Sequence, residues 1–103
     1  MNQNEILNQI ADVCKNYPEI ERAALFGSRA RGDCRTRSDF DVAVWMSNPA
    51  RSALFRADLF EHVKTLLEID VTVLSPDRQY DPTFLESIEK EKIIFYEKRR
   101  SQI

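Results

Sequence analysis

Hydrophobic positions recur along the chain with two different periods, and the switches between them lay out a run of helices and strands. Ile6, Ile10, Val13 and Tyr17, widened by Leu7 and Cys14, repeat three and four apart. That spacing predicts an amphipathic helix over 4–16, stopped by Pro18. Residues 22–26 form a short apolar run ahead of a glycine and suit a buried strand. Over 39–46 the period becomes two: Phe40, Val42, Val44 and Met46 point one way, and Asp39, Asp41, Ala43 and Trp45 the other. Asn48-Pro49 marks a turn. Phe55, Leu59, Val63, Leu66 and Leu67 then return to helical spacing and predict a helix over 50–67. Residues 69–74 read as another strand and 76–82 as a loop. Residues 83–90 read as a helix, with Thr83 as its N-cap and Glu86 three positions on, a capping-box pattern. Residues 93–96 are predicted as a last short strand. The resulting order implies an α/β fold, a small mixed sheet with flanking helices.

With 103 residues, 43% hydrophobic and 31% charged, the chain suits a single domain over 1–103 built on one core. No repeat, low-complexity stretch or linker divides it. Lys plus Arg number 15 against 17 Asp plus Glu, for a net charge of −2. That balance argues against a protein that coats nucleic-acid phosphates with basic residues. No apolar run approaches the roughly 20 residues needed to cross a bilayer, and the start lacks the basic stretch and apolar core of a signal peptide. Cys14 and Cys34 are too few for a disulfide framework and too isolated for a zinc site. A cytoplasmic protein with reduced thiols is expected.

Chemistry concentrates in two places. Both glycines of the chain fall in Phe26-Gly27-Ser28-Arg29-Ala30-Arg31-Gly32. A glycine directly after a strand permits a tight turn, and Ser28 can cap a short helix beginning at Arg29. Strand, turn and helix start together aim free N–H groups at one point, an arrangement that suits a phosphate. Ser28 adds a hydroxyl, and Arg29 and Arg31 add charge. The segment also reads as a plain turn with solvated arginines, and it matches neither a Walker A loop nor a dinucleotide fingerprint.

The second place is acidic. Asp39 and Asp41, two apart on a strand, project from one face with Cα atoms roughly 6.5–7 Å apart, so they can converge on a hard divalent cation such as Mg²⁺ or Mn²⁺. The same pair also fits an exposed strand start. Asp70, second in the strand 69–74, shares a face with Thr72 and Leu74. So apolar a setting calls for a partner: a cation, or an arginine such as Arg37. If strand 69–74 lies beside strand 39–46, three carboxylates gather at one sheet edge.

Gly27-Ser28, ten residues, Asp39-x-Asp41 and a later strand aspartate together resemble the nucleotidyltransferase superfamily that includes DNA polymerase β. In length and layout the chain is most similar to its minimal, prokaryotic members. The resemblance implies the polymerase β-like fold and a nucleotide triphosphate held at Gly27 and Ser28, with Arg29 and Arg31 as possible phosphate contacts. It also implies two Mg²⁺ ions (or Mn²⁺) on Asp39, Asp41 and Asp70, with Asp70 the candidate to accept a hydroxyl proton. ATP is the expected substrate. Since so short a chain has no room for an acceptor-binding domain, a second polypeptide is expected to supply the acceptor. The close family commonly pairs with a small helical protein of the HEPN kind, in some cases an RNase toxin that receives AMP on a tyrosine, so that the nucleotidyltransferase acts as antitoxin. Transfer to a small molecule, and a non-catalytic module that binds nucleotide and partner, are the alternatives. His62, Trp45, the segment 33–37 with Arg35 and Arg37, and the tail Lys98-Arg99-Arg100 read as surface, packing or solvated positions.

Overall fold

A computed structural model describes residues 2–32, 39–76 and 78–98. Its elements run α1 (Gln3–Cys14), β1 (Ile20–Phe26), α2 (Ser28–Arg31), β2 (Phe40–Met46), a 3₁₀ turn (Pro49–Arg51), α3 (Ser52–His62), β3 (Ile69–Leu74), α4 (Pro82–Glu91) and β4 (Ile93–Glu97). The predicted order is the observed one. The ends differ where capping chemistry, rather than hydrophobic period, sets them. Asn2 starts α1 by accepting from the Glu5 N–H at 2.9 Å. In α4 the N-cap is Asp81 and not Thr83: Asp81 Oδ1 accepts from the Thr83 N–H at 2.9 Å. Pro82 takes the first helical position, where its missing N–H costs nothing.

The largest departure is α3, which stops at His62 instead of continuing to residue 67. Val63 turns extended (φ −91, ψ 112). The next free donors find partners outside a helix: Lys64 N–H donates to Gln9 Oε1 at 3.0 Å and Leu67 N–H to Thr65 Oγ1 at 3.1 Å. Leu66 is fully exposed, so its helical spacing never served the core.

The four strands form one sheet in the order β3-β2-β1-β4. β1 runs antiparallel to both β2 and β4, while β2 and β3 are parallel. A parallel pair requires a crossover, which α3 provides. On one face Phe40, Val42, Val44 and Met46 of β2, with Leu25 and Val73, pack against Ile6, Ile10, Val13 and Cys14 of α1 and Phe55 and Leu59 of α3. Tyr17 meets Phe55 edge-on with ring centroids 5.3 Å apart, and its hydroxyl donates to Asp58, which gives this buried ring a polar partner. The other face carries a smaller cluster of Ala43, Leu74 and Ile88 of α4, bordered by Phe26, Trp45, Tyr80 and Leu85. Among the described residues α1 and α3 therefore cover one side of the sheet and α4 the other. Among the described residues no helix is long and apolar enough to cross a membrane.

Candidate active site

Strand direction brings the chemistry to one edge. Because β2 and β3 are parallel, their first residues lie side by side: Phe40 pairs with Ile69 and Asp41 with Asp70. Because β1 is antiparallel to β2, its last residue pairs with the same aspartate, Phe26 with Asp41. Neighbouring strands lie about 4.8 Å apart and paired residues share a face, so Asp41 and Asp70 are immediate neighbours on the α4 side. Asp39 and Asp70 are exposed and Asp41 is half-buried.

The glycine turn settles onto this pair. Gly27 adopts φ 75 and ψ −155, a region that L side chains rarely enter. A Cβ added there would collide with Asp41 Oδ2 and lie 3.1 Å from Asp41 Cγ. Glycine is thus required twice over, by φ and by the carboxylate. Gly27 is also the N-cap position of α2, with no side-chain cap bond. Ser28 is the first residue of that helix rather than its cap, as the strand ends so close to Asp41 that the turn is completed by backbone alone. Gly32, at φ 82, closes the single turn.

The two candidate arginines part company. The Arg29 guanidinium lies 4.1 Å over the Phe40 ring and Nη1 donates to Gln3 Oε1 at 3.4 Å, which places it on the α1 side of the sheet. Arg31 is on the carboxylate side, where Nη1 donates to Glu91 Oε2 at 2.9 Å. Glu91, the last residue of α4, also accepts the Gly27 N–H on Oε1 at 3.1 Å. Sequence reasoning missed Glu91: it ended α4 one residue earlier, and nothing in sequence sets this glutamate apart from Glu86 or Glu89. Only the packing of α4 against the end of β1 singles it out.

Electrostatics agree with the geometry. The Asp41 carboxyl is raised above the usual aspartate range, first by burial and then by the charges of Asp70 and Asp39. Arg31 opposes the shift and Glu91 adds to it. A half-buried carboxylate crowded by two others is a place where an added cation relieves repulsion.

The family described as Polymerase beta, Nucleotidyltransferase matches residues 8–101. The chain belongs to that nucleotidyltransferase family. Two Methanocaldococcus jannaschii proteins, each named "putative protein adenylyltransferase", are 30% identical over 90 and 89 residues, covering 86% of this chain and 90% of each relative. A solved "putative minimal nucleotidyltransferase" is 29% identical and superposes with a TM-score of 0.61 over 87% of this chain and 89% of that one. A toxin–antitoxin crystal structure with AMP-PNP shares the fold at 20% identity, with a TM-score of 0.63 over 90% of this chain and 74% of that one.

In this nucleotidyltransferase the donor set at the strand edge is all carboxylate, the hard-oxygen chemistry that Mg²⁺ and Mn²⁺ favour. Among the described residues no three acidic, histidine or cysteine side chains close on one point. The site is an open pair, Asp41 and Asp70, with Asp39 near enough to be felt by Asp41. Mg²⁺ is commonly held by one or two carboxylates together with substrate phosphates.

Other singled-out positions lie elsewhere. The Trp45 ring has the Arg22 guanidinium 4.5 Å and the Lys92 ammonium 5.9 Å from its centroid. It borders a cavity of about 350 Å³ at the far ends of β2 and β3, lined also by Leu74, Tyr80 and Leu85. His62 is exposed at the end of α3. Lys98, read as a solvated tail, donates from Nζ to the Pro18 carbonyl at 2.8 Å. Arg99 and Arg100, Cys34, and the segment 33–37 with Arg35 and Arg37 fall outside the described residues. Among the described residues Asp70 makes no ion pair.

Proposed function

We propose that the chain transfers AMP from ATP, with Mg²⁺, to a hydroxyl of a partner protein, and that the partner is a HEPN-type toxin which the transfer silences. The observation that carries this reading is the alignment of the starts of β2 and β3 with the end of β1, which sets Asp41 beside Asp70 directly beneath Gly27. Names of relatives support the rest: similar sequences named "putative protein adenylyltransferase", and toxin–antitoxin pairs, one with AMP-PNP and one called MntA-HepT, among the similar folds.

Gly27 lets the chain bend without a side chain between turn and carboxylate, so a triphosphate can approach the backbone of Ser28. The Ser28 hydroxyl and the Arg31 guanidinium then offer donors to its oxygens, charge-assisted in the case of arginine. Asp39, Asp41 and Asp70 would hold Mg²⁺, which when bound supplies positive charge to the triphosphate and lowers the pKa of the acceptor hydroxyl. Asp70, exposed at the rim, would accept the hydroxyl proton. The acceptor oxygen forms its bond to the α-phosphorus as the bond to the bridging oxygen breaks. Pyrophosphate leaves with that electron pair, and AMP remains on the acceptor. Negative charge grows on the phosphoryl oxygens during the step, and fixed donors such as Arg31 stabilise it most there.

The test is incubation with α-labelled ATP, Mg²⁺ and the product of the neighbouring gene, beside an Asp39→Asn, Asp41→Asn double variant. Label on the partner with the native chain, and none with the variant or with chelator present, is the expected result. Equal labelling by both chains overturns the carboxylate mechanism.

A further inference from the structure

The structure assigns Glu91 a positioning role: from the end of α4 its carboxylate fixes the turn that presents donors to the nucleotide. This inference rests on the nucleotidyl-transfer reading above. The need for such a residue comes from α2 itself. It is four residues long and is flanked by Gly27 and Gly32, both at positive φ. An isolated helix requires roughly 12 residues to be even marginally stable, and glycine on either side leaves the backbone free to adopt other conformations. Intrinsic propensity therefore cannot hold the turn in place against Asp41.

Glu91 ties down both ends of that segment at once. Oε1 accepts the Gly27 N–H at 3.1 Å, ahead of the helix, and Oε2 accepts from Arg31 Nη1 at 2.9 Å, at its last residue. The Glu91 side chain is 23% exposed and that of Arg31 46%, so the pair is anchored on the α4 side with the arginine reaching toward solvent. A guanidinium has five N–H donors, and engaging Nη1 leaves the fork oriented instead of free to rotate. The anchor is itself well fixed, since three residues earlier Ile88 is 1% exposed in the cluster with Ala43 and Leu74. The sheet thus supplies the carboxylates, α2 the donors, and Glu91 sets one against the other. The residue touches neither the reacting atoms nor the aspartates through a hydrogen bond, and it acts through Gly27 and Arg31.

The chain has two glycines, so the Gly27 amide is readily followed by ¹⁵N NMR. The experiment compares the native chain with Glu91→Ala and Glu91→Gln. Amide exchange at Gly27, the melting temperature, and the affinity for ATP in excess MgCl₂ by calorimetry are measured. Glu91→Ala is expected to speed Gly27 exchange and to weaken ATP binding about tenfold, the scale of one hydrogen bond to a charged group, at temperatures where the variant is fully folded. Glu91→Gln keeps an oxygen for Gly27 and loses the charge facing Arg31, so its affinity falls between the two. Native-like ATP affinity in Glu91→Ala overturns the assignment. Tighter binding overturns it as well, because Glu91 would then compete with phosphate. If Glu91→Ala does not fold, native-like affinity in Glu91→Gln is the overturning result. Failure of the native chain itself to bind ATP removes the functional reading and this one with it, an outcome distinct from native-like binding by a variant.

Discussion

The two faces of β2 are one residue apart in sequence and opposite in purpose. Phe40, Val42, Val44 and Met46 are all but inaccessible and lock the sheet to α1 and α3. Asp41, between the first two, stands half-buried beside Asp70 with its proton held more tightly than in a free aspartate. The difference teaches where this small domain keeps its stability and where it gives some up. Two helices cover the apolar face, whereas at the strand starts on the α4 face like charges sit together at a cost to folding. Like charges held together at such a cost mark the strand starts as the candidate ligand site.

The sharpest way to break the comparison is to alter each face alone. Asp41→Asn should lower AMP transfer by about a thousandfold, or about 4 kcal/mol at the transition state, while leaving the melting temperature unchanged or higher. Phe55→Ala should do the reverse. It is expected to cost about 3–5 kcal/mol of stability through a cavity in the helix-covered core, with activity per folded molecule preserved. Urea unfolding and transfer assays on both variants decide the matter. A stability loss for Asp41→Asn as large as that for Phe55→Ala would mean the site is part of the scaffold after all.

Gly27→Ala joins the two faces in one position. Its Cβ meets the Asp41 carboxylate and its φ of 75 is strained for alanine, so a stability loss of about 1–3 kcal/mol is expected. Transfer should fall in addition, even under conditions where the variant remains folded. A fully stable, active Gly27→Ala protein would show that the turn does not rest on Asp41.

The smallest effect is in pH dependence. Asp41 is raised in the folded chain, so between its unfolded and folded pKa values the native state binds more protons. The stability tied to the protonated form is complete below the unfolded value and is lost as pH rises through the raised one. Without divalent ions, the stability of Asp41→Asn relative to the native chain should grow as pH rises above the ordinary aspartate range and through the raised pKa of Asp41. A constant or shrinking difference would remove burial and repulsion as the cause of the shift. Added Mg²⁺ should narrow the gap at neutral pH by stabilising the native chain alone.

Much of this was legible in the chain. The strand over 69–74 emerges with the predicted bounds because β-branched alternation has no helical rival there, and the strand over 39–46 differs by one residue. The Gly-Ser turn, Asp39-x-Asp41 and Asp70 stand out because glycine is rare in this chain and because aspartates are out of place in apolar strands. The helix over 50–67 was overdrawn since Leu66 and Leu67 fit a helical period by accident, and period alone cannot report exposure. The caps at Asn2 and Asp81 are decided by single hydrogen bonds that leave no periodic trace.

Residue order alone determined the kinds of element, their succession and the chemical character of the edge, because side-chain period and backbone permissiveness are local properties. Tertiary structure decided that Asp70 lies beside Asp41, that Arg31 and Arg29 reach opposite sides of the sheet, and that Glu91 takes hold of Gly27 from 64 residues away. Those facts depend on strand pairing and on how α4 packs across the sheet. They are long-range contacts, and no local pattern encodes which distant partner a charged side chain will meet.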